Sequence, residues 1–167
     1  MSNQQFALRP FLAEDASTLA QIFQASIAEL TGDDYSEAQQ EAWAAVADDL
    51  AGFAKRLGGQ LTLVATADGE PAGFASLEGK DKIDMLYVHP DAAGQGAAAT
   101  LADALEKLAA ARGAEKLTVD ASDTARGFFE KRGYVAQSRN SISIGDERLA
   151  NTTLTKTLAK GGKGEKP

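Results

Sequence analysis

The stretch Lys82 to Leu101, KIDMLYVHPDAAGQGAAATL, constrains this chain more than any other. Its first seven residues are mostly apolar and read as a buried, central strand over 82–88. A turn holding Gly94 and Gly96 follows and opens directly into an alanine-rich helix over about 96–112. The apolar face of that helix is Leu101, Ala104, Leu105, Leu108 and Ala111, and Gly113 suits its C-terminal stop. A helix start leaves several backbone N–H groups without internal partners and carries positive dipole potential. The small residues Ala92, Ala93, Gly94, Gly96, Ala97 and Ala98 let an anion approach that backbone, and a phosphate or pyrophosphate is the natural guest. The competing reading is that the glycines only permit the turn and the alanines only favour helix. A P-loop, G-x-x-x-x-G-K-[ST], is absent. A dinucleotide fingerprint fits poorly, because Ala99 takes its third glycine position and the motif follows several antiparallel strands.

The rest of the chain punctuates itself. Residues 5–10 read as a short strand with Phe6 and Leu8 alternating. Residues 13–30 carry Ala16, Leu19, Ala20, Phe23, Ile27 and Leu30 at helical spacing, with Asp15 placed to cap. Ser36-Glu37-Ala38-Gln39 is a capping-box pattern that predicts one helix running through Trp43 and Leu50 to Leu57, stopped by Gly58-Gly59. Strands at 60–66 and 72–78 flank Asp68-Gly69, a good hairpin turn. A strand at 116–120, a short helix at 123–132 closed by Gly133, and strands at about 134–144 and 149–158 follow, the last two meeting at Gly145-Asp146-Glu147. Residues 159–167, AKGGKGEKP, read as a disordered basic tail. No internal repeat or second-domain linker is visible. The expectation is a single α/β domain over 1–158, with a mixed, mostly antiparallel central sheet flanked by about four helices.

Charge is local. The net charge of −7 comes from residues 29–50, which hold Glu29, Asp33, Asp34, Glu37, Glu41, Asp48 and Asp49 and no Lys or Arg; the remaining 17 acids balance the 17 bases. Without a basic run, phosphate-driven nucleic-acid binding is not expected. No apolar stretch approaches the roughly 20 residues of a membrane helix. The opening Met1-Ser2-Asn3-Gln4-Gln5 lacks the basic and apolar regions of a secretion signal, so the cytoplasm is the expected compartment. The absence of cysteine removes disulfides and thiolate sites, and a single histidine, His89, removes multi-histidine metal sites; no metal is expected. A serine-hydrolase role for His89 lacks the G-x-S-x-G elbow.

Two motifs resemble the GNAT N-acetyltransferases. The family's [QR]-x-x-G-x-[GA], following a strand that ends near V-x-P, is matched by Leu86-Tyr87-Val88-His89-Pro90 and Ala93-Gly94-Gln95-Gly96-Ala97-Ala98, with Ala93 replacing the usual Arg or Gln. The family's N-x-x-A-x-x-[FL]-[YF]-x-x-x-G-[FY] is matched from Ser122 through Ala125, Phe128, Phe129 and Gly133 to Tyr134; Ser122 replaces the usual Asn, and Phe129 sits where Tyr is common. The resemblance spans about 5–158. It implies acetyl-CoA as co-substrate, held by Leu86, Tyr87, Val88, Ala93, Gly94, Gln95, Gly96, Ala97, Ala98, Ala99, Ser122 and Phe129. Backbone N–H groups of 93–98 would cradle the pyrophosphate, Leu86 and Val88 main chain would pair with the pantetheine arm, and the N–H near Leu86 would polarise the thioester carbonyl. Arg126, Lys131 or Arg132 could meet the 3′-phosphate, or be solvated helix surface.

The implied chemistry is direct attack of a primary amine, on a small molecule or peptide, within a ternary complex. Asp84 is the base candidate, on the face of Leu86 by strand alternation; the alternative is a structural Asp paired with backbone or an arginine. Phe129 cannot donate a proton, so Tyr87 and Tyr134 are the nearest phenols, Tyr134 being the catalytic candidate; the alternative for each is a packing role, with water as the substitute. Tyr35, Trp43 and Asp34 are expected on the acceptor side, where the acidic segment could attract a cationic amine; the alternative is a solvated face with Trp43 in the core. A non-catalytic acyl-CoA-binding or sensing domain is the second reading. A homodimer is left open.

Overall fold

Among the described residues seven strands form one sheet in the order β1-β2-β3-β4-β5-β7-β6, and every neighbouring pair is antiparallel except β4 with β5. The structure, a computed structural model, describes residues 5–158. The strands are β1 (Ala7–Pro10), β2 (Leu61–Ala67), β3 (Glu70–Glu78), β4 (Lys82–Val88), β5 (Lys116–Ser122), β6 (Val135–Ile144) and β7 (Glu147–Thr157). The helices are α1 (Ala16–Leu30), α2 (Glu37–Ala44), α3 (Leu50–Gly58), α4 (Ala97–Ala111) and α5 (Arg126–Lys131). The α/β class, the mixed sheet and the central place of β4 agree with the sequence. The tail at 159–167 lies outside the described residues.

Alternation along the strands divides the core into two layers. On one face Leu101, Leu105 and Ala109 of α4 pack on Ala75, Leu77, Ile83 and Leu117, all essentially buried. On the other, Leu19, Phe23 and Ile27 of α1 and Phe53 and Leu57 of α3 pack on Val64, Phe74 and Met85. Each such side chain is worth about 1.5–3 kcal/mol in area removed from water, so the sheet is clamped from both sides. The buried face of α4 is rotated slightly from expectation: Ala109 is buried while Ala111 is exposed. Asp68 and Gly69 both adopt positive φ, 53° and 85°, which gives the tight β2–β3 turn its twist.

Two local expectations are corrected. The helix expected from Ser36 to Leu57 is broken. Ser36 does cap α2, accepting from Gln39 N–H while Gln39 returns a bond to Ser36, but the chain leaves α-geometry through a 3-10 turn at Ala45–Asp48. Asp49 then starts α3 afresh, its carboxylate accepting from Gly52 N–H at 3.0 Å. Hence the described residues hold five α-helices, the expected second one being split in two. Asp15 does not cap α1 either. Its buried carboxylate accepts two Arg9 bonds, at 2.8 and 2.9 Å, and one from Leu12 N–H at 2.8 Å, tying β1 to the helix entry.

Arg9 holds the Asp15 carboxyl below its ordinary value. Its charged form therefore stabilises the fold above the unfolded carboxyl value, and that stability is lost as pH falls through the depressed folded value. Asp15→Asn should cost about 1 kcal/mol at pH 7, allowing for solvent screening at the partly exposed Arg9. Urea titrations at pH 7 and pH 3 check this, and the gap between wild type and variant should close in acid.

Candidate active site

The β4–β5 ladder ends almost as soon as it begins. Lys82 faces Thr118 and Ile83 faces Val119, and no later pair forms, although β5 continues alongside β7 to Ser122. On its other side β4 stays bonded to β3, where His89 N–H donates to Ala72 C=O at 2.8 Å. Donors alternate along an antiparallel strand, so the N–H groups of Leu86 and Val88 face the opening. A cleft of about 300 Å³ occupies the wedge, lined by Leu86, Tyr87, Ala121, Ser122, Ala125 and Phe129, among others.

At the end of β4 the chain makes a 3-10 turn over Pro90–Ala92, capped by His89 Nδ1, which accepts from Asp91 N–H at 3.0 Å. Gly94 and Gly96 follow with φ of 78° and 99°, a region costly for any residue with a Cβ. A Cβ built at either would meet nothing within 4 Å, so the space over this loop is open. The N–H groups from Gly94 to Ala99 find no acceptor among the described residues; the next, Thr100 N–H, donates to Gly96 C=O. Ala93 is different, because its N–H already donates to Pro90 C=O. The Gln95 side chain turns back to Asp91 C=O at 3.2 Å. Six consecutive free donors at the positive end of a 15-residue helix form a ready anion cradle, a few residues along the chain from the open edge at Leu86 and Val88.

Asp84 is not on the Leu86 face. The β3–β4 register jumps from Ser76–Met85 to Leu77–Ile83, leaving Asp84 as the extra residue of a bulge. Bulges re-aim side chains, and here the carboxylate turns toward α3. Arg56 Nε and Nη2 grip it at 2.7 and 2.8 Å, and Gln60 Nε2 donates at 3.0 Å. Burial pushes the Asp84 carboxyl up, but the Arg56 and Gln60 bonds and the charges of Arg56 and Lys82 outweigh it, so it lies below its ordinary value. Of the two sequence readings the arginine-paired one is the geometry found, and a carboxylate so held is a weak proton acceptor.

Tyr134 requires a correction too. It is buried beside Phe129, outside the cleft lining, and its hydroxyl donates to Glu106 at 2.9 Å. Burial and the adjacent Glu106 charge raise it far above the ordinary phenol, so its proton is unavailable to the cleft. Glu106 also receives Arg132 and Lys156, and Arg132 binds Asp103, which commits Arg132 to an internal network. Arg126 pairs with Glu130 at 3.0 Å. Lys131 is exposed. Tyr87 does line the cleft; burial pushes its phenol up to about 12, and its oxygen accepts from Trp43 Nε1 at 3.3 Å. Ser122 Oγ accepts from Ala125 N–H at 3.1 Å, shaping the turn into α5.

Of the residues expected on the acceptor side, Tyr35 and Trp43 line the cleft and meet edge-on at 5.4 Å between ring centres. The Tyr35 hydroxyl is fully used, donating to Ala150 C=O and accepting from Asp123 N–H. Asp34 is outside the lining and accepts from Thr124 Oγ1 at 2.7 Å. All seven acids of 29–50 are exposed, and none lines the cleft. Sequence reasoning missed Arg56, Gln60, Val46, Ile142 and Ile144. The last two carried a signal: alternating isoleucines in an otherwise polar strand need an apolar neighbour.

The sequence model of the GNAT acetyltransferase domain matches residues 31–145. YafP of Escherichia coli (strain K12), described as an uncharacterised N-acetyltransferase, is 34% identical over 134 residues, 80% of this chain and 83% of its own. A crystal structure of a GCN5-related N-acetyltransferase from Rhodopseudomonas palustris is 66% identical, with a TM-score of 0.93 over 95% of this chain and 99% of that one. PaiA N-acetyltransferase from Thermoplasma acidophilum, solved in complex with coenzyme A, shares the fold at 19% identity, with a TM-score of 0.75 over 92% of this chain and 99% of that one. The opened β4–β5 edge and the glycine loop thus sit in a shared architecture, and the chain belongs to the GNAT acetyltransferase family.

Proposed function

We propose that this protein transfers the acetyl group of acetyl-CoA to a primary amine by direct attack in a ternary complex. The observation that carries this reading is the presence of two unsatisfied backbone surfaces in close succession along the chain: the open edge of β4 at Leu86 and Val88, and the free N–H run from Gly94 to Ala99. The first suits an extended amide-bearing arm added like a strand, the second a pyrophosphate. When bound, acetyl-CoA supplies an activated thioester carbonyl; the amine nitrogen bonds to that carbon, the thiolate departs, and the nitrogen loses a proton. In this reading Leu86 N–H donates to the carbonyl oxygen as charge develops there. Ala97, Ala98 and Ala99 hold phosphate oxygens with Gly94, Gln95 and Gly96. Ala93 contributes by keeping the approach small, and Ser122 and Phe129 wall the arm on the β5 side.

No strong base is assigned. A lysine-like amine with pKa about 10.4 costs roughly 4.6 kcal/mol to deprotonate at pH 7, and an α-amine near 8 only about 1.4 kcal/mol. Asp84, charged and paired, acts as a positioning residue that holds Arg56 across the acceptor end of the cleft. Tyr87 remains protonated and can donate a hydrogen bond into the cleft, while water takes up the proton. The second reading, a non-catalytic acyl-CoA sensor, draws on Phe129 and the locked Tyr134. Release of free thiol from acetyl-CoA across a panel of amines separates the two, with no protein thiol background because the chain lacks cysteine.

Gly94→Ala and Gly96→Ala should each raise the acetyl-CoA Kd at least tenfold by calorimetry, through strain at positive φ and a methyl over the cradle. Their stability cost should stay near 1–2 kcal/mol. Asp84→Asn should lower kcat less than about tenfold and leave the acidic limb of the kcat/KM pH profile in place, because the acceptor amine sets that limb. Loss of the limb would assign proton abstraction to Asp84.

A further inference from the structure

The exposed acidic segment invites a cationic acceptor, but the cleft is built for something else. From 29–50 the cleft takes only Tyr35, Trp43 and Val46. The charged groups in its lining are Arg56, Lys82, Asp84 and Asp120, and they close on each other as two ion pairs, at 2.7 and 3.3 Å. The lining therefore carries no net charge to receive a second ammonium group. The acids outside it act through screening solvent.

Apart from these pairs, Ser122 and Asn151, the side chains that line the cleft are apolar or aromatic. Trp43 packs edge-on against Tyr35 at 5.4 Å and against Tyr87 at 6.4 Å, giving a rigid aromatic wall. Val46, from the 3-10 turn that breaks the second helix, and Ile142, from β6, line the cleft from separate elements while 37% and 38% exposed. Both belong to a short set of large apolar side chains left in water, and their common place is this cleft. Isolated exposed apolar residues need no explanation, but two lining the same cavity beside an aromatic wall favour an apolar guest.

We propose that the acceptor is a primary monoamine with an uncharged apolar body of several carbons, alkyl or arylalkyl, lying against Trp43 and between Val46 and Ile142. This rests on the amine-acetylation reading above. Selectivity then comes from desolvated area, not from ion pairing.

The test uses the purified full chain with saturating acetyl-CoA and the n-alkylamines from propyl to hexyl, each beside the α,ω-diamine of equal length. Burial of each added methylene is worth a factor of about three to four, so kcat/KM should climb about that much per carbon until the cleft is filled. The diamines should fall at least tenfold behind. Val46→Asp should cut hexylamine kcat/KM at least fivefold and narrow the gap to hexanediamine while leaving the acetyl-CoA Kd unchanged. Val135→Thr, at an exposed strand residue outside the cleft lining, should behave like wild type. A flat alkyl series, or a preference for diamines with turnover intact, would overturn the apolar acceptor and leave the acetyltransferase standing. Absence of acetyl transfer to every amine, diamines included, would overturn the acetyltransferase reading and this one with it.

Discussion

A central strand with an unpaired edge is an expensive feature, and here everything else is arranged around one. Beyond Ile83 and Val119 the β4–β5 ladder stops, leaving N–H groups in the middle of the sheet without a strand partner. Buried backbone donors are nearly always satisfied, so an edge left open at this depth is a place prepared for an outside partner. The wedge cannot close, because each strand is held elsewhere. β4 is bonded to β3 along its far edge, and β5 is bonded to β7 through seven consecutive register pairs. Clamping by α4 on one face and by α1 and α3 on the other fixes the angle.

The opening sits between two kinds of chemistry. At one end the glycine loop aims free N–H groups into open space, where small side chains and positive φ keep the backbone uncovered. At the other end the bulge in β4 delivers Asp84 to Arg56 and Gln60, so the cleft is braced there by a neutral ion pair instead of presenting a reactive carboxylate. The same physics decides the tyrosines. Tyr134 is tied to Glu106 within a network with Arg132 and Lys156, while Tyr87 stays at the cleft.

Much of this was legible in the sequence, because the informative signals are local. Strand 82–88, the Gly94–Gly96 turn and the helix after it follow from apolar content, positive-φ residues and helical spacing within twenty residues. The failures are non-local. Nothing around Asp84 announces a bulge, since the register jump is imposed by β3, and the jump moves the carboxylate to the other face. The helix from Ser36 kept its apolar spacing through Ala45–Asp48, yet packing of Ala47 against α1 and the Asp49 cap favoured a break. Phe129 and Tyr134 matched a motif, and only the fold separates the one lining the cleft from the one facing away. The net charge of −7, local to 29–50, remains on the outside of a cleft whose own charges cancel.

The central claim is that the open edge of β4 and the N–H run of the glycine loop bind one ligand together. Amide chemical-shift mapping of the 15N-labelled protein during titration with coenzyme A tests it directly. The expected result is saturable binding with the largest shifts at Leu86, Val88 and the amides from Gly94 to Ala99, and small ones across Glu106, Arg132 and Tyr134. Binding that shifts another surface while these amides stay still, or no binding at millimolar coenzyme A, would contradict it.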